Sequence, residues 1–118
     1  MDAKTIAGFI RTGAYRIGHE ALLQEDLERH FRNGCIPYER EVRLSDADRV
    51  DFVVDGHIAV ELKIKESRRR ILRQLERYAA HDVITGLILL SGVSMGIPAR
   101  LNGKPVHFIH LGRMSLGC

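Results

Sequence analysis

Apolar and polar positions alternate most regularly between residues 49 and 65. Two short runs of strand-forming residues flank the turn Asp55-Gly56-His57, and β-branched and aromatic residues favour strands. In the second run every other residue is apolar, which is the period of a strand with one face in the core. The pattern therefore predicts a β-hairpin, and its second strand has the apolar positions Val60, Leu62 and Ile64.

The length of the turn determines which residues pair across this hairpin. If the turn has three residues, Val54 faces Ile58, and Asp51 faces Glu61 on the same side. Lys63 follows on the Glu61 face. Two adjacent carboxylates repel each other unless one takes a proton or a cation neutralises both. The hairpin is therefore the first candidate for a site, because a hard divalent metal beside a lysine meets that need.

Helical spacing of apolar residues predicts three helices, over residues 2–12, about 18–33 and 67–81. Gly13 is expected to end the first, Asn33-Gly34 the second, and Ser67 is expected to cap the third. Glu20 shares the apolar stripe of the second helix with Leu23, Leu27 and Phe31, and Glu25 lies on the opposite face. A carboxylate at the end of a core-facing stripe is costly unless its charge is offset. We therefore expect Glu20 to point toward the hairpin site.

The remaining segments predict further strands. Residues 36–44 read as the first strand, with Tyr38, Arg40, Val42 and Leu44 on one face. The apolar run 83–91 is typical of a buried strand reached by a helical crossover. Residues 92–102 are expected to form a loop, and residues 106–111 a last strand. The order helix, three strands, helix, strand, strand predicts an α/β fold with a central mixed sheet flanked by helices.

Length and composition set the bounds of this interpretation. A chain of 118 residues predicts a single domain, residues 1–118. The net charge of +3 and the pI near 9.1 are compatible with an anionic partner. No apolar run is long enough for a membrane span, and no secretory signal pattern begins the chain. Cys35 and Cys118 lack the spacing of a metal site. These features favour a reduced, cytoplasmic protein with no membrane association.

Asp51 followed by Glu61-Leu62-Lys63 resembles the core motif of the PD-(D/E)XK nucleases, with Val50 in place of the usual proline. Gln74-x-x-x-Tyr78 on the third helix resembles the element that follows this motif in RecB-like members. The element order matches the αβββαβ core of that restriction-endonuclease-like superfamily. The resemblance spans roughly residues 18 to 91.

The resemblance implies metal-dependent hydrolysis of DNA with Mg²⁺ or Mn²⁺, with little sequence specificity. It implies direct metal binding by Asp51 and Glu61, a further ligand in the backbone carbonyl of Leu62, and a water- or metal-holding role for Glu20. Lys63 would orient or deprotonate water, or stabilise charge, and these roles stay open. The implied catalytic set is Glu20, Asp51, Glu61, Lys63, Gln74 and Tyr78. The basic run after the hairpin supplies expected backbone-phosphate contacts, from Lys65, Arg68, Arg69, Arg70 and Arg73.

Three alternatives remain at this point. The chain could be a Holliday-junction resolvase-like nuclease that acts as a homodimer on branched DNA. It could be a catalytically silent nucleic-acid-binding domain on the same fold. It could also be an interaction domain whose acidic hairpin is only a salt-bridge cluster. Retention of Asp51, Glu61 and Lys63 together argues against the silent domain, and metal binding would separate the classes.

Overall fold

A computed structural model describes residues 1–112 of the chain. Over these residues it is an α/β fold with three helices and a mixed six-stranded sheet. The helices are α1 (Ala3–Arg11), α2 (Glu20–Asn33) and α3 (Arg68–Ala79). The strands are β1 (Tyr38–Arg43), β2 (Arg49–Val54), β3 (Ile58–Lys63), β4 (Gly86–Ser91), β5 (Arg100–Leu101) and β6 (Lys104–His110).

The helix ends follow from local chemistry. The Asp2 side chain accepts a hydrogen bond from the Thr5 amide at 2.9 Å and caps α1. The Ser67 hydroxyl accepts one from the Arg70 amide at 3.3 Å and caps α3, as predicted. Gly34 ends α2, and a side chain there would collide with the Phe9 ring of α1. Within residues 1–112, every helix is too short or too polar to span a lipid bilayer.

The sheet has the strand order β1-β2-β3-β4-β6-β5. The first three strands pair antiparallel, whereas β3, β4 and β6 run parallel. The β3-α3-β4 crossover was predicted, and β4 begins at Gly86, where its pairing with Ile58 begins. The short strand β5 lies within the segment predicted as loop. It forms because Arg100 and Leu101 pair antiparallel with the start of β6.

Helices cover both faces of the sheet. α1 and α2 pack on one face, where Ile58, Val60 and Leu62 of β3 lie in one buried cluster with Leu27. α3 packs on the other face, where Ala59 of β3 lies in a second cluster with residues of that helix. Strand alternation therefore turns Glu61 and Lys63 toward α3. The predicted division of β3 between its two faces is confirmed.

One sequence prediction is wrong on β1. Tyr38 packs with the α1/α2 cluster, whereas Val42 packs with the α3 cluster, so they do not share one face. The change occurs at Glu41, which has a positive φ of 50° and rotates the next side chain to the opposite face. On β2, Val50 and Phe52 likewise join opposite clusters although they are two residues apart. Asp51 lies between them, at the point where the alternation of β2 shifts.

Candidate active site

The predicted hairpin is present with the predicted register. Its turn comprises residues 55–57, with positive φ at Asp55 (52°) and Gly56 (78°). Val54 pairs with Ile58 and Phe52 pairs with Val60. The pairing ends there, and the next residue on each strand is Asp51 and Glu61, linked by a hydrogen bond from the Asp51 amide to Glu61 Oε1 at 3.2 Å.

Beyond the Phe52–Val60 pair, the carboxylates of Asp51 and Glu61 accept hydrogen bonds from backbone amides of the neighbouring strand. The Asp51 Oδ2 atom accepts a bond from the Leu62 amide at 2.9 Å. The Glu61 Oε1 atom accepts one from the Asp51 amide at 3.2 Å. A buried amide must find an acceptor, and here the acceptors are side chains. The arrangement fixes both carboxylates at the end of the strand pairing.

The Asp51/Glu61 pair carries an unbalanced negative charge. Glu61 is only 2% exposed, and burial, followed by repulsion from Asp51, raises its pKa to about 7. Burial also raises the pKa of Asp51, and the charge of Glu20 adds to that rise. Opposing effects from the Leu62 amide and Lys63 are smaller. The pair would therefore gain from a proton or a cation.

Two neighbours hold Glu61 in place. The Lys63 Nζ atom lies 3.3 Å from Glu61 Oε2. The Tyr78 hydroxyl donates to the Arg49 carbonyl at 2.7 Å and lies 3.4 Å from Glu61 Oε1. Tyr78 is fully buried, and the nearby carboxylates together with burial raise its pKa. Tyr78 therefore touches Glu61 rather than the surface, whereas Gln74 lines the cleft described below.

Glu20 reaches the same end of β3 from the opposite helix layer. It is the first residue of α2, where a negative charge is favourable, and its Oε1 atom accepts a bond from the Ile64 amide at 3.3 Å. Leu23 and Leu27 are buried along its stripe, as predicted. Glu25 is exposed and lies 3.5 Å from Arg16. The structure thus separates the two glutamates as the helix register predicted.

Asp51, Glu61 and Glu20 all present carboxylate oxygens, the donor type that Mg²⁺ and Mn²⁺ prefer. Within residues 1–112, however, no group of three or more His, Cys, Asp or Glu side chains is arranged to hold a metal ion. Glu61 accepts a hydrogen bond from the Asp51 amide, whereas Glu20 accepts one from the Ile64 amide. The donor chemistry fits a hard cation that keeps several waters.

An open cleft of about 310 Å³ lies between the end of β3 and the exposed side of α3. Four of its lining side chains are cationic and one, Glu66, is anionic. A site of this charge favours an anionic ligand. We call it the basic cleft, and its lining residues are Lys63, Glu66, Arg70, Arg73, Gln74 and Arg77.

The predicted nucleic-acid contacts divide between the basic cleft and its surroundings. Arg70 and Arg73 line the cleft. Arg68 is exposed and donates to the Gly96 carbonyl at 2.6 Å. Lys65 and Arg69 are also exposed, but they are not among the cleft-lining residues. Arg77, which also lines the cleft, was not among the predicted contacts.

The burial of two carboxylates, Asp48 and Asp26, was not predicted from the sequence. Asp48 is buried and accepts bonds from Arg77 Nε at 2.8 Å and His81 Nε2 at 2.9 Å. Asp26 is buried beneath Arg16 and Arg29. Asp26 adjoins the Leu23/Leu27 stripe at helical spacing, which is a signal in the sequence. Asp48 has no local signal because its partners lie 29 and 33 residues away.

The chain was compared with protein-family models, with characterised proteins and with solved structures. None of the three comparisons finds a match. The functional argument therefore rests on the residues and geometry of the chain.

Proposed function

We propose that the protein is a metal-dependent nuclease, a phosphodiester hydrolase of the PD-(D/E)XK kind acting on DNA. The observation that supports it best is the Asp51/Glu61 pair, a half-buried and a buried carboxylate on adjacent strands that are linked by a hydrogen bond and short of positive charge. Lys63 and the basic cleft lie directly beside it. The order α2-β1-β2-β3-α3-β4 is compatible with the restriction-endonuclease-like αβββαβ core, which remains part of the proposal.

Phosphodiester hydrolysis needs an oriented water and stabilisation of the charge that develops on the phosphate. When bound, Mg²⁺ or Mn²⁺ would supply Lewis-acid stabilisation and lower the pKa of water. Asp51 and Glu61 would hold that ion through their carboxylates, with the Leu62 carbonyl as a further ligand. Glu20 would accept a hydrogen bond from water at the same end of β3, next to the Ile64 amide.

The other side chains act on the phosphate and on Glu61. Lys63 would place its Nζ atom beside the scissile phosphate, where it can orient the attacking water or stabilise charge. Arg70, Arg73 and Gln74 would bind phosphate oxygens from the basic cleft. Tyr78 would keep Glu61 oriented from within the core. Lys65, Arg68 and Arg69 would add weaker contacts at the margin, through backbone charge alone.

The test is cleavage of linear, single-stranded and four-way-junction DNA with Mg²⁺ or Mn²⁺, against an EDTA control. We expect metal-dependent cleavage of at least one form with little dependence on sequence. Selective cleavage of the junction by a dimer, measured together with the mass in solution, would favour the resolvase-like alternative. No cleavage of any form across a range of metal concentrations would contradict the proposal.

A second candidate is a non-catalytic nucleic-acid-binding domain on the same fold. It is favoured by two observations: Glu61 already contacts Lys63, and residues 1–112 contain no three-ligand metal group. Thermal unfolding at pH 8 with and without Mn²⁺ separates the two candidates. An ion that binds the folded state raises the midpoint with concentration, whereas a silent domain shows the same midpoint at every concentration.

A further inference from the structure

Arg77 occupies a distinctive position in the basic cleft. It lines the cleft together with Lys63, Arg70 and Arg73, and it also lines a neighbouring hollow of about 410 Å³ on α3 with Arg73, Glu76 and Ala80. Arg73 and Arg77 therefore lie where the two depressions meet. The concave surface therefore continues past the Arg77 end of the cleft, along the last turns of α3.

Arg77 is fixed in this position by a buried carboxylate. Its Nε atom donates to Asp48 Oδ1 at 2.8 Å, and His81 contacts the other Asp48 oxygen at 2.9 Å. The Arg77 side chain is nevertheless 52% exposed. Asp48 accepts from Nε and not from the two terminal nitrogens, and Arg77 lines the cleft. A guanidinium held in this way loses little conformational entropy when it binds an anion.

Arg70 is held at the other end of the cleft. Its Nε atom lies 3.8 Å from Glu66 Oε1. Arg70 and Arg77 are seven residues apart, or about 10 Å along the helix axis, and each has its own carboxylate neighbour. The separate carboxylate neighbours, Glu66 for Arg70 and Asp48 for Arg77, favour a different anion position at each guanidinium.

We propose that Arg77 binds a second phosphate of the substrate strand, adjacent to the phosphate at Lys63 and Arg70. The substrate class is then a nucleic-acid chain that runs along α3, rather than a mononucleotide or a phosphomonoester. This inference rests on the proposed function, because it extends the same cleft. Asp48 and His81 act as positioning residues that do not touch the strand.

The experiment measures binding of a short single-stranded DNA in EDTA, where metal-dependent cleavage cannot occur. A set of oligonucleotides carries one neutral methylphosphonate linkage at successive positions. With the wild-type protein, we expect weaker binding when either of two separate linkages is neutral. For Arg77→Ala, we expect about fivefold weaker binding of the unmodified strand. Its log–log salt slope should fall by about 0.7, the value for one phosphate contact on a single strand.

The variant also identifies which linkage Arg77 binds. In Arg77→Ala, neutralising one of the two sensitive linkages should have no further effect, while the other should keep its effect. Arg77→Lys should recover the salt slope because it restores the charge. Arg32→Ala removes an exposed arginine on α2 that lies 3.7 Å from Glu28, and it should bind as the wild type does.

Removing Arg77 leaves Asp48 with one fewer partner, so the Asp48→Asn/Arg77→Gln double variant provides a folded alternative without the unpaired charge. The inference is overturned if only one linkage matters to the wild type, or if Arg77→Ala keeps the wild-type salt slope and both linkage effects. The nuclease proposal is tested by a separate outcome. Absence of cleavage with Mg²⁺ or Mn²⁺, together with the two-linkage pattern in EDTA, would retain the strand-binding cleft and remove the chemistry.

Discussion

Asp26 and Glu61 are both buried carboxylates, 5% and 2% exposed, yet their surroundings differ in charge. Asp26 accepts bonds from the Arg16 amide at 2.7 Å and from the Arg16 and Arg29 guanidiniums at 2.8 and 3.1 Å. Burial alone raises its pKa, but these bonds outweigh that effect and hold the pKa of Asp26 below its usual value. Glu61 has a second carboxylate beside it and a pKa raised to about 7.

The comparison shows which carboxylates the fold itself needs. Asp26 ties the segment before α2 to that helix, and its charge is satisfied by the protein. Asp48 follows the same rule, since His81 and Arg77 lower its pKa. Asp51 and Glu61, by contrast, are a half-buried and a buried carboxylate kept together with too little compensation. An arrangement that costs stability is the expected signature of a functional site.

The largest expected effect concerns activity. Glu61→Gln or Asp51→Asn should reduce metal-dependent cleavage by roughly a hundredfold or more, because each removes a charged ligand while keeping the shape. Asp26→Asn, the matched control, should leave the cleavage rate of the folded protein close to that of the wild type. Initial rates at saturating Mg²⁺ measure the difference. Similar losses in all three variants would mean that Asp51 and Glu61 have only structural roles.

The second prediction is that the stabilities of Glu61→Gln and Asp26→Asn, each relative to the wild type, change in opposite directions with pH. The folded-state pKa of Glu61 is about 7, above its ordinary 4.5. The stability associated with its protonated form is therefore present below pH 4.5 and is lost as the pH rises through about 7. Glu61→Gln should be more stable than the wild type at pH 8, by about 2 kcal/mol. The difference should shrink below pH 5.

For Asp26 the sign is reversed. Its folded-state pKa is lowered, so its stabilisation is present above the usual 3.8 and is lost as the pH falls through the folded-state value. Asp26→Asn should be less stable at pH 8, by about 1 to 2 kcal/mol, and the loss should diminish in acid. Denaturant unfolding in EDTA from pH 3 to pH 8 measures both. If both variants were more stable, or both less stable, than the wild type at pH 8, this account of the two sites would be refuted.

The smallest effect separates the two glutamates of α2. Glu20→Ala should lower the cleavage rate roughly tenfold, as expected for a carboxylate that orients water rather than binding the ion directly. Glu25→Ala should have little effect, since Glu25 is exposed beside Arg16 on the opposite side of α2. The cleavage rates of the two variants are compared under conditions in which both are equally folded. An equal or larger loss at Glu25 would place the site on the other side of the helix.

Local pattern was sufficient for much of the fold. Three helices, the hairpin and the buried strand β4 lie where apolar periodicity and caps such as Ser67 predicted them. The three-residue turn also predicted the pairing of Val54 with Ile58, and the register confirms it; Asp51 and Glu61 lie just beyond the paired residues and are linked by a hydrogen bond from the Asp51 amide to Glu61. These features depend on residues close in sequence, so their periods and turn chemistry identify them.

Other features depend on contacts that no local pattern contains. The positive φ at Glu41 turns Tyr38 and Val42 to opposite faces. The burial of Asp48 depends on α3, which packs across the sheet and brings Arg77 and His81 to it.

The sequence by itself determined which side chains carry charge and in what order the elements occur. The tertiary structure alone decided which of those charges are balanced. Asp26 and Asp48 are compensated by arginines at the positions where the helices pack, whereas Glu61 is buried beside Asp51 under α3. Burial and the neighbours brought by packing set the free energy of each charged form, and both arise only when the layers assemble.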